Sequence, residues 1–210
     1  MKVSTLITTA RATVLKQLQV SEGEVLTFIN LALLEVYKRF PVSTKEQIIV
    51  LEEGIHIYEL NPDAMSLVSA YTESRYLRDQ EGDLVSPTSS EIVEIPINDE
   101  TDVNSLLTPT PGSGMISYPT EGQVVSVLYR AGPVTIESEE LEEELKVTPQ
   151  YVELLLMYIG YLGYLGLNST NGLEDKYLTR FEVSALTLQK QGIVNVDGNT
   201  NSKLENRGFV

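Results

Sequence analysis

The segment from Val147 to Gln191 constrains this chain more than any other. Thr148-Pro149 reads as a helix start, a hydroxyl residue followed by a proline whose missing N–H costs nothing at the first helical position. The run VELLLMYIGYLGYLGL that follows is among the most apolar in the protein, and Asn168-Ser169-Thr170-Asn171-Gly172 interrupts it with turn residues. A second helical pattern spans Leu173 to Gln191 and stops at Gly192. Two helices joined by so short a loop lie antiparallel, and their apolar faces need further partners.

The first of these helices carries Gly160, Gly163 and Gly166 at intervals of three, interleaved with Tyr158, Tyr161 and Tyr164. Each glycine costs a helix about 1 kcal/mol relative to alanine, so three require an offsetting gain. Close approach of another backbone, flanked by tyrosine rings, supplies one. These six residues are therefore expected to serve helix packing, within a subunit or between subunits. The uninterrupted apolar run from Leu154 to Leu167 is 14 residues long, short of the roughly 18–20 that cross a bilayer. A buried helix is expected, not a membrane span.

Composition narrows the function classes. The chain has no cysteine, which excludes disulfides, thiolate zinc sites and a cysteine nucleophile. It carries 30 Asp and Glu against 15 Lys and Arg, a formal charge of −15. Such a potential repels phosphate and argues against specific nucleic-acid binding, yet it suits a surface that DNA passes without sticking. No basic stretch followed by an apolar one opens the sequence, so no signal peptide is expected and the protein is expected to be made in a cytoplasm.

The N-terminal part reads as two more helices. Ser4 is expected to cap the first, with Ile7, Ala10, Val14 and Leu18 at helical spacing. Ser21-Glu22-Gly23-Glu24 is a capping box before the second, with Val20 and Val25 as its hydrophobic staple, and Pro41 ends it. The period then changes. Gln47–Leu51 and Ile55–Leu60 read as a hairpin around Glu52-Glu53-Gly54, and Leu67–Tyr71 and Glu91–Ile97 as further strands. Met115–Tyr118 and Gln123–Tyr129 read as a second hairpin around Thr120-Glu121-Gly122. Asp99 to Gly114, rich in Asp, Asn, Thr, Pro and Gly, reads as an exposed loop.

These elements predict an α+β fold: a four-helix bundle formed by the N- and C-terminal helix pairs, an inserted mainly antiparallel β domain, and an extended C-terminal tail. Residues 1–42 and 146–192 form the helical domain, 43–145 the inserted β domain with its loops, and 193–210 a flexible or docking tail. The tail ends in Phe209 and Val210, an apolar pair after a polar tether, suited to docking on a neighbour.

Catalytic chemistry is hard to find. His56 is the sole histidine and falls on the solvated face of a strand pattern; no serine stands in a G-x-S-x-G elbow. Asp197-x-Asn199-x-Asn201 opens like a calcium loop, but Ser202 replaces the glycine and Gly208 the bidentate Glu. Glu137, Glu139, Glu140, Glu142, Glu143 and Glu144 form an acidic run that reads as a solvated face. No phosphate loop or dinucleotide fingerprint appears. No enzyme activity, metal or cofactor is expected.

In order, VSTLITTARATVLKQL, EVLTFINLALLEVYKRF, a strand running into ELNPDAMSLVSAY, the strand-turn VSVLYRAGPVTI, TPQYVELLLMYIGYLGYLGLN and LTRFEVSALTLQKQG resemble the head-to-tail adaptor (connector) proteins of tailed bacteriophages, similar to the tail tubular or nozzle-adaptor proteins of short-tailed phages. The resemblance covers residues 1–192 and rests on structural motifs, of which the "YRA-x-P" turn is one. The three glycines are denser than that family's pattern needs. It implies a ring, usually dodecameric, bound under the portal protein, presenting its other side to tail or nozzle proteins and passing DNA without sequence-specific contacts or a membrane. Its place is the virion neck, assembled in the bacterial host cytoplasm. On that reading Glu139, Glu140, Glu142, Glu143 and Glu144 line or approach the channel, and Phe209 and Val210 contact a partner. The rival expectation is a virion-associated receptor- or carbohydrate-binding module using the Asp99–Gly114 loop, which holds no aromatic residue. An acidic-site hydrolase is a third, needing paired carboxylates in a pocket.

Overall fold

Helical and extended periods separate cleanly along the chain, and the computed structural model, which describes residues 1–85, 91–165 and 172–190, turns each into its own unit. The fold is mixed α+β, with four helices and two antiparallel sheets among the described residues. Helices α1 (Val3–Ala12), α2 (Glu22–Arg39), α3 (Val152–Tyr164) and α4 (Leu173–Lys190) belong to one compact unit, made of Met1–Val42 and the chain from Pro133 onward. Strands β1 (Thr44–Val50), β2 (Ile57–Glu59), β3 (Ala64–Glu73), β4 (Ile92–Ile95), β5 (Leu106–Leu107), β6 (Ser113–Ile116) and β7 (Val124–Ala131) make the other, Ser43–Gly132.

Local signals set the helix ends. At α2 the capping box forms: Glu24 N–H donates to Ser21 Oγ at 3.2 Å and Ser21 N–H to Glu24 Oε2 at 2.7 Å, satisfying donors a helix start leaves open. A 3-10 turn over Pro149–Tyr151 leads into α3, with Pro149 at its first position; the Thr148 side chain makes no cap bond. The expected Ser4 cap is corrected. Helix α1 starts at Val3, and its first N–H groups, on Val3 and Ser4, donate to the carbonyls of Glu143 and Leu141 at 3.1 and 2.8 Å.

That contact also corrects the domain boundary. Residues 133–145 lie in the helical unit, not the β unit, because backbone carbonyls of this segment satisfy the open end of α1. An antiparallel bridge between Lys2 and Glu144, with Leu145 N–H on Met1 O at 3.0 Å, extends the seam.

The four helices share one core but are not two hairpins laid together. Helix α3 packs on α4, α2 and α1, while α1, only ten residues long, meets α2 over a short stretch. Val3, Leu6, Ile7 and Ala10 of α1, Ile29, Ala32, Leu33 and Val36 of α2, Leu154, Leu155 and Ile159 of α3, and Phe181 and Ala185 of α4 are buried together. Each large side chain so buried contributes about 1.5–3 kcal/mol relative to exposure. A helix as apolar as α3 finds enough partners only from the middle of the group.

The β unit holds a four-stranded sheet, β1-β7-β3-β4, and a three-stranded one, β2-β6-β5. Between them lie Ile49, Ala70, Ile95, Val125 and Val127 of the first and Leu106 and Ile116 of the second. Strand β7 shows the strict alternation expected of it, with Val125, Val127, Tyr129 and Ala131 buried. Neither expected hairpin forms. β1 pairs with β7 and β2 with β6, so Glu52-Glu53-Gly54 and Thr120-Glu121-Gly122 are corners carrying the chain between sheets. Gly54 and Gly122 take the left-handed conformation at φ 79° and 75°. The corners grip each other: Leu51 N–H donates to Gln123 O at 2.8 Å and Gly122 N–H to Leu51 O at 3.1 Å.

Candidate functional surface

The glycines of α3 make room for side chains of the same subunit. A Cβ on Gly160 would stand 2.9 Å from Tyr177 Cδ1 of α4, and one on Gly163 would overlap Leu15 Cδ2, just past α1. The tyrosines flank these approaches. Tyr164 stacks on Tyr177 with centroids 5.7 Å apart, and Tyr158 meets Phe181 at 5.0 Å and Tyr161 at 5.4 Å. Burial pushes the phenols of Tyr158 and Tyr164 above their ordinary value. The structure therefore brings Gly160, Gly163, Tyr158, Tyr161 and Tyr164 into intrachain packing. Gly166 lies outside the described residues.

The acidic run is anchored at the backbone and open at the side chains. A 3-10 turn over Ser138–Glu140 closes when Glu137 N–H donates to Glu140 Oε2 at 2.9 Å. Glu139, Glu142, Glu143 and Glu144 are exposed and Glu140 half-buried. Lys2 Nζ donates to Glu142 Oε2 at 2.8 Å, and that bond, first among its causes, holds the Glu142 carboxyl below its ordinary value. Glu142 is thus an ion-pair partner as well as part of the acidic face. The others present charge to solvent at the N-terminal end of α1, where the helix dipole favours anions.

Two groups of the helical unit escaped the sequence reading. Asn30 sits mid-helix in α2, yet its amide clasps Ile136 from both sides, Nδ2 donating to the carbonyl and Oδ1 accepting from the N–H, each at 3.0 Å. Its one sequence signal was a polar residue in an otherwise apolar run. Arg39, last residue of α2, donates to Glu182 through Nη1 at 2.6 Å and Nη2 at 2.8 Å, and to Glu35 through Nε at 2.7 Å. Its guanidinium also lies 4.7 Å from the centroid of Phe181. The Glu182 bond, foremost, lowers that carboxyl and raises the guanidinium. Nothing in the sequence pairs positions 39 and 182.

In the β unit, His56 is exposed, its Nδ1 3.2 Å from the Ile116 carbonyl. The Asp99–Gly114 stretch is not simply a loop. It contains β5 and the start of β6, and Leu106 and Ser105 are fully buried. A cleft of about 420 Å³ opens beside it, lined by Met65, Leu67, Ile97, Asn98 and the turn from Thr108 to Gly112. Among the described residues no charged or aromatic side chain lines that cleft. Among the described residues no cluster of three acidic or histidine groups is placed to hold a metal, and no helix is long and apolar enough to cross a membrane. Phe209 and Val210 lie outside the described residues.

No family model matches this sequence, and no curated protein matches it.

Proposed function

We propose that this protein is a structural, non-enzymatic head-to-tail adaptor of a tailed-phage virion, forming a ring under the portal that joins capsid to tail and continues the DNA channel. The observation that supports it most is the division of the chain. Its two ends supply one helical unit and its middle a separate two-sheet unit, in the order the resemblance requires. In this reading the four helices act as a bundle gathered on α3, stiff enough to serve as a ring segment because glycine lets Tyr177 and Leu15 seat directly on the α3 backbone.

Charge fits the same role. DNA carries one negative charge per roughly 1.7 Å of duplex, and Glu139, Glu143 and Glu144 are exposed while the carbonyls of Leu141 and Glu143 are tied to α1. Such a rim keeps a passing duplex off the wall. Partners are further copies of the chain, the portal, and tail or nozzle proteins, in the virion neck. Negative-stain imaging of the purified protein, alone and with its cognate portal, is the test. Rings, or an added layer on the portal, are expected; a chain that leaves the portal bare refutes the reading.

One observation favours a second reading, a receptor- or carbohydrate-binding module: the 420 Å³ cleft beside Thr108–Gly112. Among the described residues its lining has none of the aromatic rings on which sugars stack. Binding of the purified protein to host cells or a glycan array in the absence of portal would favour this module over the adaptor.

A further inference from the structure

Gln123 stands between the Thr120-Glu121-Gly122 corner and β7, and it is 5% exposed. Its backbone is fully used: the N–H donates to Thr120 O at 3.0 Å and the carbonyl accepts from Leu51 N–H at 2.8 Å. Its side chain is half used. Nε2 donates to Thr72 Oγ1 on β3 at 3.2 Å, whereas Oε1 is buried and has no hydrogen-bond partner among the described residues. Turning the amide over does not cure this. Thr72 Oγ1 gives its own proton to Val124 O at 3.0 Å, so toward Gln123 it can only accept, and only the amide NH2 can face it. A buried amide oxygen left without a donor is costly, and folded proteins place a partner at such atoms.

The space beside this amide says what the partner is. Gln123 and Thr72 line a cavity of about 10 Å³, with Tyr76 and Asn104 as further polar neighbours and Ile95 of β4 and Ile116 of β6 among its apolar walls. That is room for one water and nothing larger. Among the described residues no charged side chain lines it, so an ion would find no countercharge. What the cavity leaves over is acceptors. Tyr76 Oη gives its proton to Gly122 O at 3.2 Å and keeps a lone pair. Asn104 Oδ1 takes one proton from Arg78 N–H at 2.7 Å and can take a second, while its Nδ2 is engaged by Arg78 O at 2.9 Å and Asp102 Oδ1 at 3.2 Å. Water has two protons to give.

We propose that this cavity is a binding site for a single internal water, which donates to Gln123 Oε1 and to a second acceptor, Asn104 Oδ1 or Tyr76 Oη. Bound there, the water completes the polar end of the β-unit core. It ties the corner before β7 to the segments that carry Tyr76 and Asn104, where the apolar contact between Ile95 and Ile116 of the two sheets gives out. The site is independent of the adaptor reading above.

The test is water–methyl NMR on the full-length protein with labelled isoleucine methyls. Ile95 and Ile116 are 3% and 4% exposed, so surface solvent does not reach them. Both are expected to show cross-peaks at the water frequency, with NOE and ROE of opposite sign, the mark of a water held far longer than surface solvent. Gln123→Met keeps the length of the side chain and removes the acceptor; it is expected to abolish both cross-peaks while the other methyl signals stay dispersed. Missing cross-peaks in the unaltered protein mean a dry cavity and overturn the proposal. Cross-peaks that persist in Gln123→Met would come from the exchanging hydroxyls of Tyr76 or Tyr118, which also line the cavity, and overturn it equally. Should that variant fail to fold, a high-resolution crystal structure of the unaltered protein decides. One isolated density peak within about 3.2 Å of Gln123 Oε1 establishes the site, and a side chain on that oxygen or no peak at all removes it.

Discussion

Gly163→Ala tests the role of the α3 glycines most sharply. In a helix that merely tolerates glycine, the change gains up to about 1 kcal/mol of propensity. Here the new methyl would overlap Leu15 Cδ2 and stand 3.2 Å from Leu18 Cδ1. Leu18 is partly exposed and can give way, whereas Leu15 is 1% exposed and held in the core. Overpacking at such a site costs about 1–3 kcal/mol, so a net loss of about 1–2 kcal/mol is expected. At about 2–4 °C per kcal/mol for a chain of this size, calorimetry or urea titration resolves it. Leu15→Ala alone should cost about 2–5 kcal/mol. In that background the offending methyl is gone, and Gly163→Ala should turn neutral or stabilising by up to about 1 kcal/mol. The sign change in the double-mutant cycle, not the size of either single effect, is the signature. A stabilising Gly163→Ala in the otherwise unchanged protein would refute the close-approach argument.

Three further expectations follow from the same contacts. Arg39→Met should cost about 1–2 kcal/mol, discounted because Glu182 is 42% exposed and solvent screens the pair. Glu182 titrates below its ordinary value when folded, so its contribution is full above about pH 4.3 and fades as pH falls through that lower value; the gap between wild type and variant should narrow in acid, and a constant gap would contradict the pairing. Tyr129→Phe removes a buried hydroxyl that accepts from Asn61 Nδ2 at 2.8 Å and donates to Asp63 Oδ1 at 3.1 Å. It should cost about 1–2 kcal/mol and raise the Asp63 titration seen by NMR, with Lys45, the main cause of its low value, still in place. Replacing Glu139, Glu143 and Glu144 by lysine, sparing the Glu142–Lys2 pair, should leave assembly intact and slow genome ejection; unchanged kinetics would remove these residues from the channel wall.

What was legible in the sequence was local. The Ser21–Glu24 box, Pro149 at the start of its helix and the alternation of β7 each depend on residues within a few positions of one another, and backbone geometry fixes their consequence wherever they occur. The glycine spacing of α3 pointed to close approach of another backbone, whereas at Gly160 and Gly163 it is the side chains of Tyr177 and Leu15 that come close. The two corners mark where this reading stopped. Glu52-Glu53-Gly54 and Thr120-Glu121-Gly122 have hairpin chemistry, and their glycines do adopt positive φ. Yet a turn sets only the path of a few residues.

Which strand then lies alongside is decided by burial of whole faces. Placing β1 on β7 buries Ile49 with Val125 and Val127, while β2 and β6 carry Leu60 and Ile116 to the opposite side of the same core. The acidic segment obeys the same division. Its composition gave it an exposed, charged face, but only the folded chain seats its carbonyls on the open N–H groups of α1 and clasps Ile136 with Asn30. Residues 30 and 136, or 39 and 182, meet because burial and unsatisfied hydrogen bonds select among long-range pairings. By itself the sequence determined the order of the helical and extended stretches and which faces of the longer ones are apolar; the start of α1, strand β5 and the partners of those faces were left to the tertiary structure, since that choice depends on every other face at once.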